Sequence, residues 1–238
     1  MQIDKTYADT LEFWNRAFAL SDEDKARCEQ ELDPDNGWTE LAPCDKLRNI
    51  LTNALSGQKK VLDYGCGDGW AGIALCKSGC EDVTCADVAE NAVEQARFLG
   101  DLFHAGSGFH AMHVTADWIS EIEADTFDGL YCSNVIDVIP PAAAEEILEN
   151  FSRIIEADGK IIISMNYCMP PDREPRPDER VENGNELYVN GILRLVSRTD
   201  EEWAEILSRW FIVEKISYFA WSGEETEERR IFELRSRR

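Results

Sequence analysis

The feature that most constrains this 238-residue chain is a glycine-rich segment after an apolar run, which reads VLDYGCGDG from Val61 to Gly69. Glycines at positions 65, 67 and 69 let the backbone turn tightly, and their missing side chains let a ligand approach the chain itself. Amides at the start of the helix that follows can donate to a carboxylate or a phosphate. The segment therefore predicts a strand–turn–helix unit for a nucleotide-type ligand. Many glycine loops only turn, so other motifs must identify that ligand.

The spacing of these glycines separates the candidate ligands. A dinucleotide fingerprint, Gly-x-Gly-x-x-Gly, would place its third small residue at position 70, where Trp70 is too large for the close helix–strand packing of that fold. A Walker-type phosphate site is also disfavoured, because no Gly-Lys-Ser/Thr follows the glycines. An NAD-dependent oxidoreductase is therefore the less favoured alternative.

Three further motifs follow in chain order. Asp87 lies about 20 positions beyond the glycine loop, where a carboxylate can accept hydrogen bonds from both hydroxyls of a ribose or cap the next helix. Asp117 and Trp118 follow the third predicted strand, and Trp118 could also be a plain core residue. Ser133 and Asn134 follow the fourth predicted strand, at the edge of the sheet where open α/β folds bind ligands.

Over residues 58–166, these four motifs in this order resemble the class I, seven-stranded S-adenosylmethionine-dependent methyltransferases that act on small molecules. The resemblance implies S-adenosylmethionine as the cofactor, with the glycine loop at its methionine part, Asp87 at its ribose and Asp117 beside its adenine. The residues expected to bind the cofactor are Asp63, Gly65, Cys66, Gly67, Asp87, Val88, Asp117, Trp118 and Asn134.

Strand and helix patterns alternate along the chain, which is typical of a mostly parallel sheet covered by helices on both faces. Strands are expected at 60–64, 82–86, 108–114, 127–133, 159–165, 212–221 and 229–234, and helices at 68–77, 89–103, 140–155 and 199–209. The resemblance implies a three-layer, Rossmann-like α/β fold. Its seven-stranded sheet would contain the last strand, 229–234, antiparallel to the others.

The region before the glycine loop predicts a helical cap. Residues 1–57 are expected to form this cap as part of the same domain, and residues 58–238 the methyltransferase domain itself. Within the cap, apolar residues at near-helical spacing indicate a helical region over 4–31 and a second helix after Pro43.

An insertion is expected after the fifth strand, over about residues 168–198. Its first part, 168–185, is rich in proline and charge and predicts irregular structure. Asn190 and Gly191 lie between two apolar runs and tolerate positive φ, so they predict a two-residue β-hairpin turn.

The charge of the chain restricts its partners. The formal net charge is −23, whereas proteins that bind nucleic acid neutralise phosphates with Lys and Arg. The Pro-Pro-aromatic motif that amino-methylating nucleic-acid enzymes place after the fourth strand is also missing here. We therefore expect no nucleic-acid partner, and a substrate that is neutral or cationic.

Composition also bears on the compartment. No apolar run approaches the roughly 20 residues of a membrane span, and the first residues, MQIDK, lack the layout of a signal peptide. The eight cysteines form no Cys-x-x-Cys pair, which favours reduced, buried thiols over disulfides or a zinc site. These observations predict a cytoplasmic protein with no membrane association and no metal.

The resulting hypothesis is methyl transfer to a small-molecule acceptor by in-line displacement, in which the enzyme acts mainly by proximity and orientation. The acceptor, the atom methylated, the need for a general base and the oligomeric state stay open, and we assign no catalytic residue. Candidate bases are Asp137, Tyr167, His104, His110 and His113, and candidate pocket residues are Tyr7, Trp14, Asn15, Trp38, Tyr167 and Tyr188. A non-catalytic S-adenosylmethionine-binding protein with the same fold is the alternative from another class.

Overall fold

The computed structural model describes residues 5–170 and 172–238. Its helices are α1 (Lys5–Ala17), α2 (Asp22–Glu31), α3 (Asp45–Leu55), α4 (Trp70–Lys77), α5 (Glu90–Leu102), α6 (Trp118–Glu121), α7 (Pro141–Ile154) and α8 (Asp200–Leu207). Its strands are β1 (Val61–Tyr64), β2 (Val83–Asp87), β3 (Phe109–His113), β4 (Phe127–Ser133), β5 (Ile155–Met165), β6 (Glu179–Glu182), β7 (Glu186–Val189), β8 (Ile192–Val196), β9 (Phe211–Phe219) and β10 (Arg229–Ser236). Within these residues, no helix combines the length and the apolar character that crossing a bilayer requires.

The centre of the molecule is a seven-stranded sheet in the order β3-β2-β1-β4-β5-β10-β9. The first five strands pair in parallel, and β10 pairs antiparallel with both β5 and β9. The expected α/β fold with an antiparallel last strand is therefore confirmed. Because the chain order reverses between β1 and β4, a crevice opens at the carboxyl ends of these two strands.

Helices cover both faces of this sheet, as the alternation of side chains along β1 illustrates. Leu62 and Tyr64 face a cluster that includes Phe151 of α7, whereas Val61 faces a second cluster that includes Leu47 of α3 and Leu75 of α4. Side chains of a strand alternate between its two faces, so a strand with apolar residues in succession must be buried on both. This double burial holds the carboxyl end of β1 rigidly at the crevice.

The N-terminal region differs from the prediction of one helical region over 4–31. It forms two helices, because Ser21 caps α2: its Oγ accepts a hydrogen bond from the Asp24 amide at 3.1 Å, and the Asp24 carboxylate accepts from the Ser21 amide at 3.2 Å. This reciprocal capping starts a new helix after a break at residues 18–21. The helix after Pro43 is confirmed as α3, and residue 4 lies outside the described residues.

The insertion forms a separate three-stranded sheet in the order β6-β7-β8. Asn190 and Gly191 make the predicted turn between β7 and β8, with φ of 51° and 82°. The prediction of irregular structure across 168–185 is wrong for β6, which pairs with β7 despite its charge because cross-strand hydrogen bonding needs no apolar side chains. Residue 171, within the insertion, lies outside the described residues.

Candidate functional site

A cavity of about 340 Å³ lies at the carboxyl ends of β1, β2 and β4. One side, which we call the glycine-loop half, is formed by the segments that follow β1, β2 and β3. The other side, which we call the cap half, is formed by β4 and its following segment, by α1, and by Pro43 and Trp221. The chain that leaves β1 enters the glycine-loop half, and the chain that leaves β4 enters the cap half.

The glycine loop has the tightly turning backbone conformation that its sequence predicts. Gly65, Gly67 and Gly69 all have positive φ, at 70°, 54° and 79°, a region that other residues enter at a cost. A Cβ atom on Gly65 would collide with Cγ2 of Val135, and one on Gly67 would lie 2.9 Å from Cζ of Phe18. The two loop glycines therefore bring backbone directly against the cap half.

A fourth glycine that the sequence analysis passed over completes this unit. Gly72 lies in α4, and a Cβ atom there would collide with Sγ of Cys85 on β2. In a dinucleotide loop, the third glycine allows the helix and the strand to approach each other closely. Here Gly72 allows that approach, and Trp70 lines the cavity. The signal was present in the sequence, but at a spacing that the fingerprint does not include.

Asp87 is positioned by the two segments that it joins. Its Oδ2 accepts a hydrogen bond from the Gly67 amide at 2.9 Å, and its Oδ1 accepts from the Ala89 amide at 2.8 Å. The carboxylate thus fixes the glycine loop relative to the start of α5, and each oxygen keeps a lone pair for a further donor. Burial raises the pKa of Asp87, and these backbone donors oppose that increase.

Two more carboxyl groups line the glycine-loop half. Asp63 is 2% exposed, and its Oδ2 has no hydrogen-bond partner among the described residues. Burial, assisted by the charge of Asp68, raises the pKa of Asp63 to about 8. Burial also raises the pKa of Asp68 to about 6, although the Trp70 amide donates to its Oδ1 at 3.2 Å. A buried, unpaired acceptor of this kind is complete only when a donor or a cation binds it.

The structure brings together seven of the nine residues expected to contact the cofactor. These seven cavity-lining residues are Asp63, Gly65, Cys66, Gly67, Asp87, Val88 and Asn134. Asp117 and Trp118 do not line the cavity: Asp117 is exposed at the start of α6, and Trp118 packs against the core. They follow Val114, which does line it, so their contact with a ligand stays a prediction.

The cap half is lined mainly by large apolar side chains. Leu11 and Trp14 of α1 contribute to it, together with Phe18 just beyond the helix and Trp221 after β9. Expected pocket residues Tyr7 and Trp14 are therefore in the lining. Asn15 instead joins α1 to α5, because its Oδ1 accepts from the Asn91 amide at 3.0 Å. Pro43, Phe18 and Trp221 carried no motif, so only the fold could bring them to the cavity.

The arginine side chains of distant segments hold this cap in place. Arg194 of β8 lies over the rings of Phe13 and Trp14, with its Cζ 4.1 and 5.1 Å from the ring centres. Arg229 of β10 lies 3.6 Å from the ring centre of Trp221, and its guanidinium donates to Glu224 at 2.7–3.0 Å. The insertion and the last strand thus position aromatic residues of the cavity wall.

The candidate bases lie away from this cavity. Asp137 is fully buried, and its Oδ2 accepts from both nitrogens of Asn166 at 2.8 Å, which ties the segment after β4 to the end of β5. Tyr167 lines a second depression with the glutamates of the loop before β10. Histidines 104, 110 and 113 are exposed. Trp38 packs in the core and Tyr188 in the small sheet, so neither lines the cavity.

Cysteines and other potential metal-ligating side chains do not cluster in the described part of the chain. Across residues 5–170 and 172–238, no group of three or more His, Cys, Asp or Glu side chains could hold a metal ion. All eight cysteines are free thiols, and four of them, including Cys66 in the cavity lining, are buried. Burial raises the pKa of Cys66 well above its usual value, so this thiol stays protonated and weakly nucleophilic.

Part of the chain is similar to known proteins. A family model described as a methyltransferase domain matches residues 61–159. Among curated relatives, the ubiquinone biosynthesis O-methyltransferase of Neisseria meningitidis serogroup A is 27% identical over 106 residues, which are 44% of this chain and 43% of the relative. The chain therefore matches about half the length of such relatives.

Solved structures share the fold over nearly the whole chain. The Burkholderia thailandensis 1,6-didemethyltoxoflavin-N1-methyltransferase, solved with 1,6-didemethyltoxoflavin and S-adenosylhomocysteine, has a TM-score of 0.70 and 17% identity, and the match covers 99% of this chain and 92% of that one. The N-methyltransferase NodS of Bradyrhizobium japonicum, solved with S-adenosylhomocysteine, has a TM-score of 0.62 and 14% identity, over 99% of this chain and 100% of that one. At these identities the likeness concerns the fold.

Proposed function

We propose that the protein transfers a methyl group from S-adenosylmethionine to a small-molecule acceptor, from the premise that residues 61–159 match a family model described as a methyltransferase domain. The observation that carries the proposal is the set of three buried carboxyl groups, Asp63, Asp68 and Asp87, around a glycine loop in one half of an otherwise apolar cavity. Carboxylates in a poorly solvated site favour a cationic ligand.

The charge of the site separates the candidate cofactors. S-adenosylmethionine carries a sulfonium and an ammonium group, which complement these carboxylates. The pyrophosphate of NAD would instead meet Asp63 and Asp68 at the glycine loop, without a lysine or arginine among the described residues that line the cavity. Electrostatics and the position of Trp70 therefore both disfavour a dinucleotide.

The residues proposed to hold the cofactor keep the expected assignments. The unpaired Oδ2 of Asp63 and the loop amides would receive the methionine part, and Asp87 the ribose hydroxyls, with Cys66, Val88 and Asn134 alongside. Asp117 and Trp118 would contact an adenine that extends past Val114 to the edge of the cavity. When bound, the cofactor supplies an electrophilic methyl group, and the chain contributes orientation, a dry apolar cavity and an enclosing cap.

The test is calorimetric titration of the intact protein with S-adenosylmethionine, S-adenosylhomocysteine and NAD. We expect both sulfur compounds to bind and NAD not to bind. Asp87→Ala should weaken cofactor binding by about 1.5–3 kcal/mol, because a charged acceptor is lost. Glu94→Ala, which removes an exposed carboxylate from the same helix region, is the matched control and should leave affinity unchanged.

The outcomes discriminate between the alternatives. Absence of binding at millimolar S-adenosylmethionine would refute the proposal, and NAD binding in its place would favour an oxidoreductase. Cofactor binding without methyl transfer to any physiological small molecule would favour a non-catalytic binding protein. An unchanged affinity in Asp87→Ala would show that the ribose lies elsewhere.

Further parts of the proposal concern organisation and location. We propose that residues 1–57 serve as a cap of the same domain and that residues 58–238, with the insertion near 168–198, form the methyltransferase domain; the packing of α1 on β8 and α5 supports this division. The free thiols support a reducing, cytoplasmic setting, which fractionation of the native host can test. The net charge of −23 supports a partner other than nucleic acid.

A further inference from the structure

The cap half restricts the chemistry of the methyl acceptor. Building on the proposed function, we infer that the acceptor is an apolar or aromatic amine that reacts in its neutral form, with its body against the aromatic side chains of the cap half and an N–H group directed to Oδ1 of Asn134. The inference follows from three properties of the cavity wall: its charge, the absence of a base and one unpaired oxygen.

The charge of the wall excludes an anionic acceptor. Among the described lining residues, the cap half carries no lysine, arginine or histidine, and the carboxyl groups of the cavity lie in the other half. Burial raises the pKa of Tyr7 to about 12, so it stays neutral as well. Beyond Trp221, the loop contributes Glu224, Glu225, Glu227 and Glu228. A carboxylate or phosphate on the acceptor would find no cationic partner among these lining residues and would be repelled by the carboxyl groups.

The same wall offers no general base. A hydroxyl acceptor must lose its proton as it reacts, and the anion so formed would lie in a cavity that already contains carboxylates. Ser133, which lines the cap half, accepts from Ser164 at 2.8 Å, and Ser164 is 3.0 Å from the hydroxyl of Tyr131. Within residues 5–170 and 172–238, this chain of hydroxyls ends at the tyrosine, with no hydrogen bond to a histidine or carboxylate.

A neutral amine avoids this requirement. Its nitrogen lone pair forms the new N–C bond, the S–CH₃ bond breaks with its electron pair on sulfur, and the resulting N-methylammonium releases its proton to water after leaving the cavity. Desolvation in an apolar cavity lowers the pKa of an amine, so the wall itself favours the reactive, uncharged form. Proton loss therefore needs no side chain at the site.

Asn134 provides the positive evidence for an N–H group. Its Oδ1 is buried and has no partner among the described residues, and its backbone has a φ of 50°, in the left-handed region. An amide oxygen can only accept hydrogen bonds, so its complement is a donor. Trp14 has the converse feature, because its Nε1–H is buried without a hydrogen-bond acceptor in the described part of the chain and can bind a polar atom on the acceptor body.

Matched aromatic compounds test the inference on protein saturated with S-adenosylhomocysteine. One series is tryptamine, indole-3-ethanol and indole-3-acetate, and a second is phenethylamine, 2-phenylethanol and phenylacetate. We expect the amine of at least one series to bind about tenfold or more tightly than its carboxylate, with an affinity that increases with pH as the amine is deprotonated. In the presence of S-adenosylmethionine, mass spectrometry should detect N-methylation and no O-methylation.

A substitution at Asn134 tests its role. Asn134→Gly removes the amide oxygen and keeps the left-handed backbone unstrained; we expect amine binding to weaken about 3- to 10-fold, measured at saturating S-adenosylhomocysteine, whose own affinity for the variant is determined separately. Asn183→Gly is the matched control, because Asn183 is exposed and has the same φ of 50°; it should change neither affinity.

Each contrary outcome is distinct. Carboxylates that bind as tightly as amines, methylation of the alcohols, or failure of every amine to bind to the S-adenosylhomocysteine complex would overturn the inference and leave the proposed function intact. An unchanged amine affinity in Asn134→Gly, measured at saturating S-adenosylhomocysteine, would remove the amine contact of this residue. Failure of the wild-type protein to bind S-adenosylhomocysteine at all would instead refute the proposed function.

Discussion

The glycine-loop half and the cap half of the cavity face each other, yet they are constructed in opposite ways. The glycine-loop half comes from one continuous stretch of chain and depends on absent side chains, as at Gly65 and Gly67, and on backbone amides fixed by Asp87. The cap half is assembled from distant segments and depends on bulky side chains such as Trp14 and Trp221.

This difference follows from what each half must do. A cofactor shared by many enzymes can be held by backbone groups and a few carboxylates, which a short local motif can specify. An acceptor must be distinguished by shape and polarity, which requires side chains brought from several elements. Much of the cap half, namely α1, Pro43 and Trp221, accordingly lies outside the matched residues 61–159.

The largest expected effect is at the contact between the two halves. Gly65→Ala should lower the free energy of unfolding by about 2–5 kcal/mol, because it combines a positive φ of 70° with a collision against Val135. Urea unfolding measures this loss. Gly223→Ala is the matched control, since Gly223 has a φ of 91° with nothing within 4 Å of the added Cβ, and it should cost only about 1 kcal/mol.

Adding Val135→Ala to Gly65→Ala should restore the part of the unfolding free energy that was lost to the steric collision. If none of it is restored, the two halves do not contact each other at Gly65 and Val135.

An effect of similar size concerns the buried carboxyl groups. The folded-state pKa of Asp63, about 8, exceeds the unfolded value of 3.8, so this residue contributes stability below pH 3.8 that is lost as pH rises toward 8. We expect the unfolding free energy of the wild-type protein, relative to Asp63→Asn, to fall by about 4–5 kcal/mol between pH 4 and pH 8.

Urea unfolding over that pH range measures the difference. An exposed carboxylate replaced in the same way, Glu94→Gln, should show no such trend, and a difference that rises with pH would contradict the assigned environment of Asp63.

A smaller effect is expected where the insertion holds the cap. Arg194→Gln should weaken the packing of α1 by about 0.5–2 kcal/mol, because the guanidinium no longer lies over Phe13 and Trp14. Hydrogen exchange of α1 should then accelerate while β1 and β4 keep their protection. Arg180→Gln, which removes a similar stack over Tyr188 within the small sheet, should leave α1 unchanged.

The smallest effect sharpens the boundary of the glycine-loop half. If adenine extends past Val114, Asp117→Ala should weaken S-adenosylmethionine binding about 2- to 5-fold, less than Asp87→Ala. Asp101→Ala, also exposed, serves as the control. Identical affinities for Asp117→Ala and wild type would restrict the cofactor contacts to the residues that line the cavity.

Local signals predicted much of the fold. The apolar strands, the Asn190-Gly191 turn and the α3 helix were all predictable, because each depends on side-chain periodicity or on φ preferences within a few residues. Two predictions failed for the same local reason: the capping of α2 by Ser21 and the pairing of charged β6 depend on single hydrogen-bonded contacts that average patterns do not reveal.

The residues of the candidate site also fall into two groups, those that local sequence signals predicted and those that they did not. Residues from Asp63 to Val88 were predictable, since a glycine loop and the carboxylate after the next strand lie at fixed spacings. Gly72 was missed because its role depends on Cys85 on the neighbouring strand. Phe18 and Trp221 carry no motif, and only their meeting at the cavity gives them a role.

For this protein, the sequence by itself determined the alternating α/β order, the glycine loop and the acidic residues beside it, because these depend on short-range backbone geometry and on spacing along the chain. Only the tertiary structure decided that Asp63 and Asn134 carry buried oxygens without hydrogen-bond partners among the described residues, that Asp137 joins two segments, and that aromatic residues enclose an uncharged cap half. Burial, pairing and charge in a cavity depend on which distant side chains meet there, and that information exists only once the chain has folded.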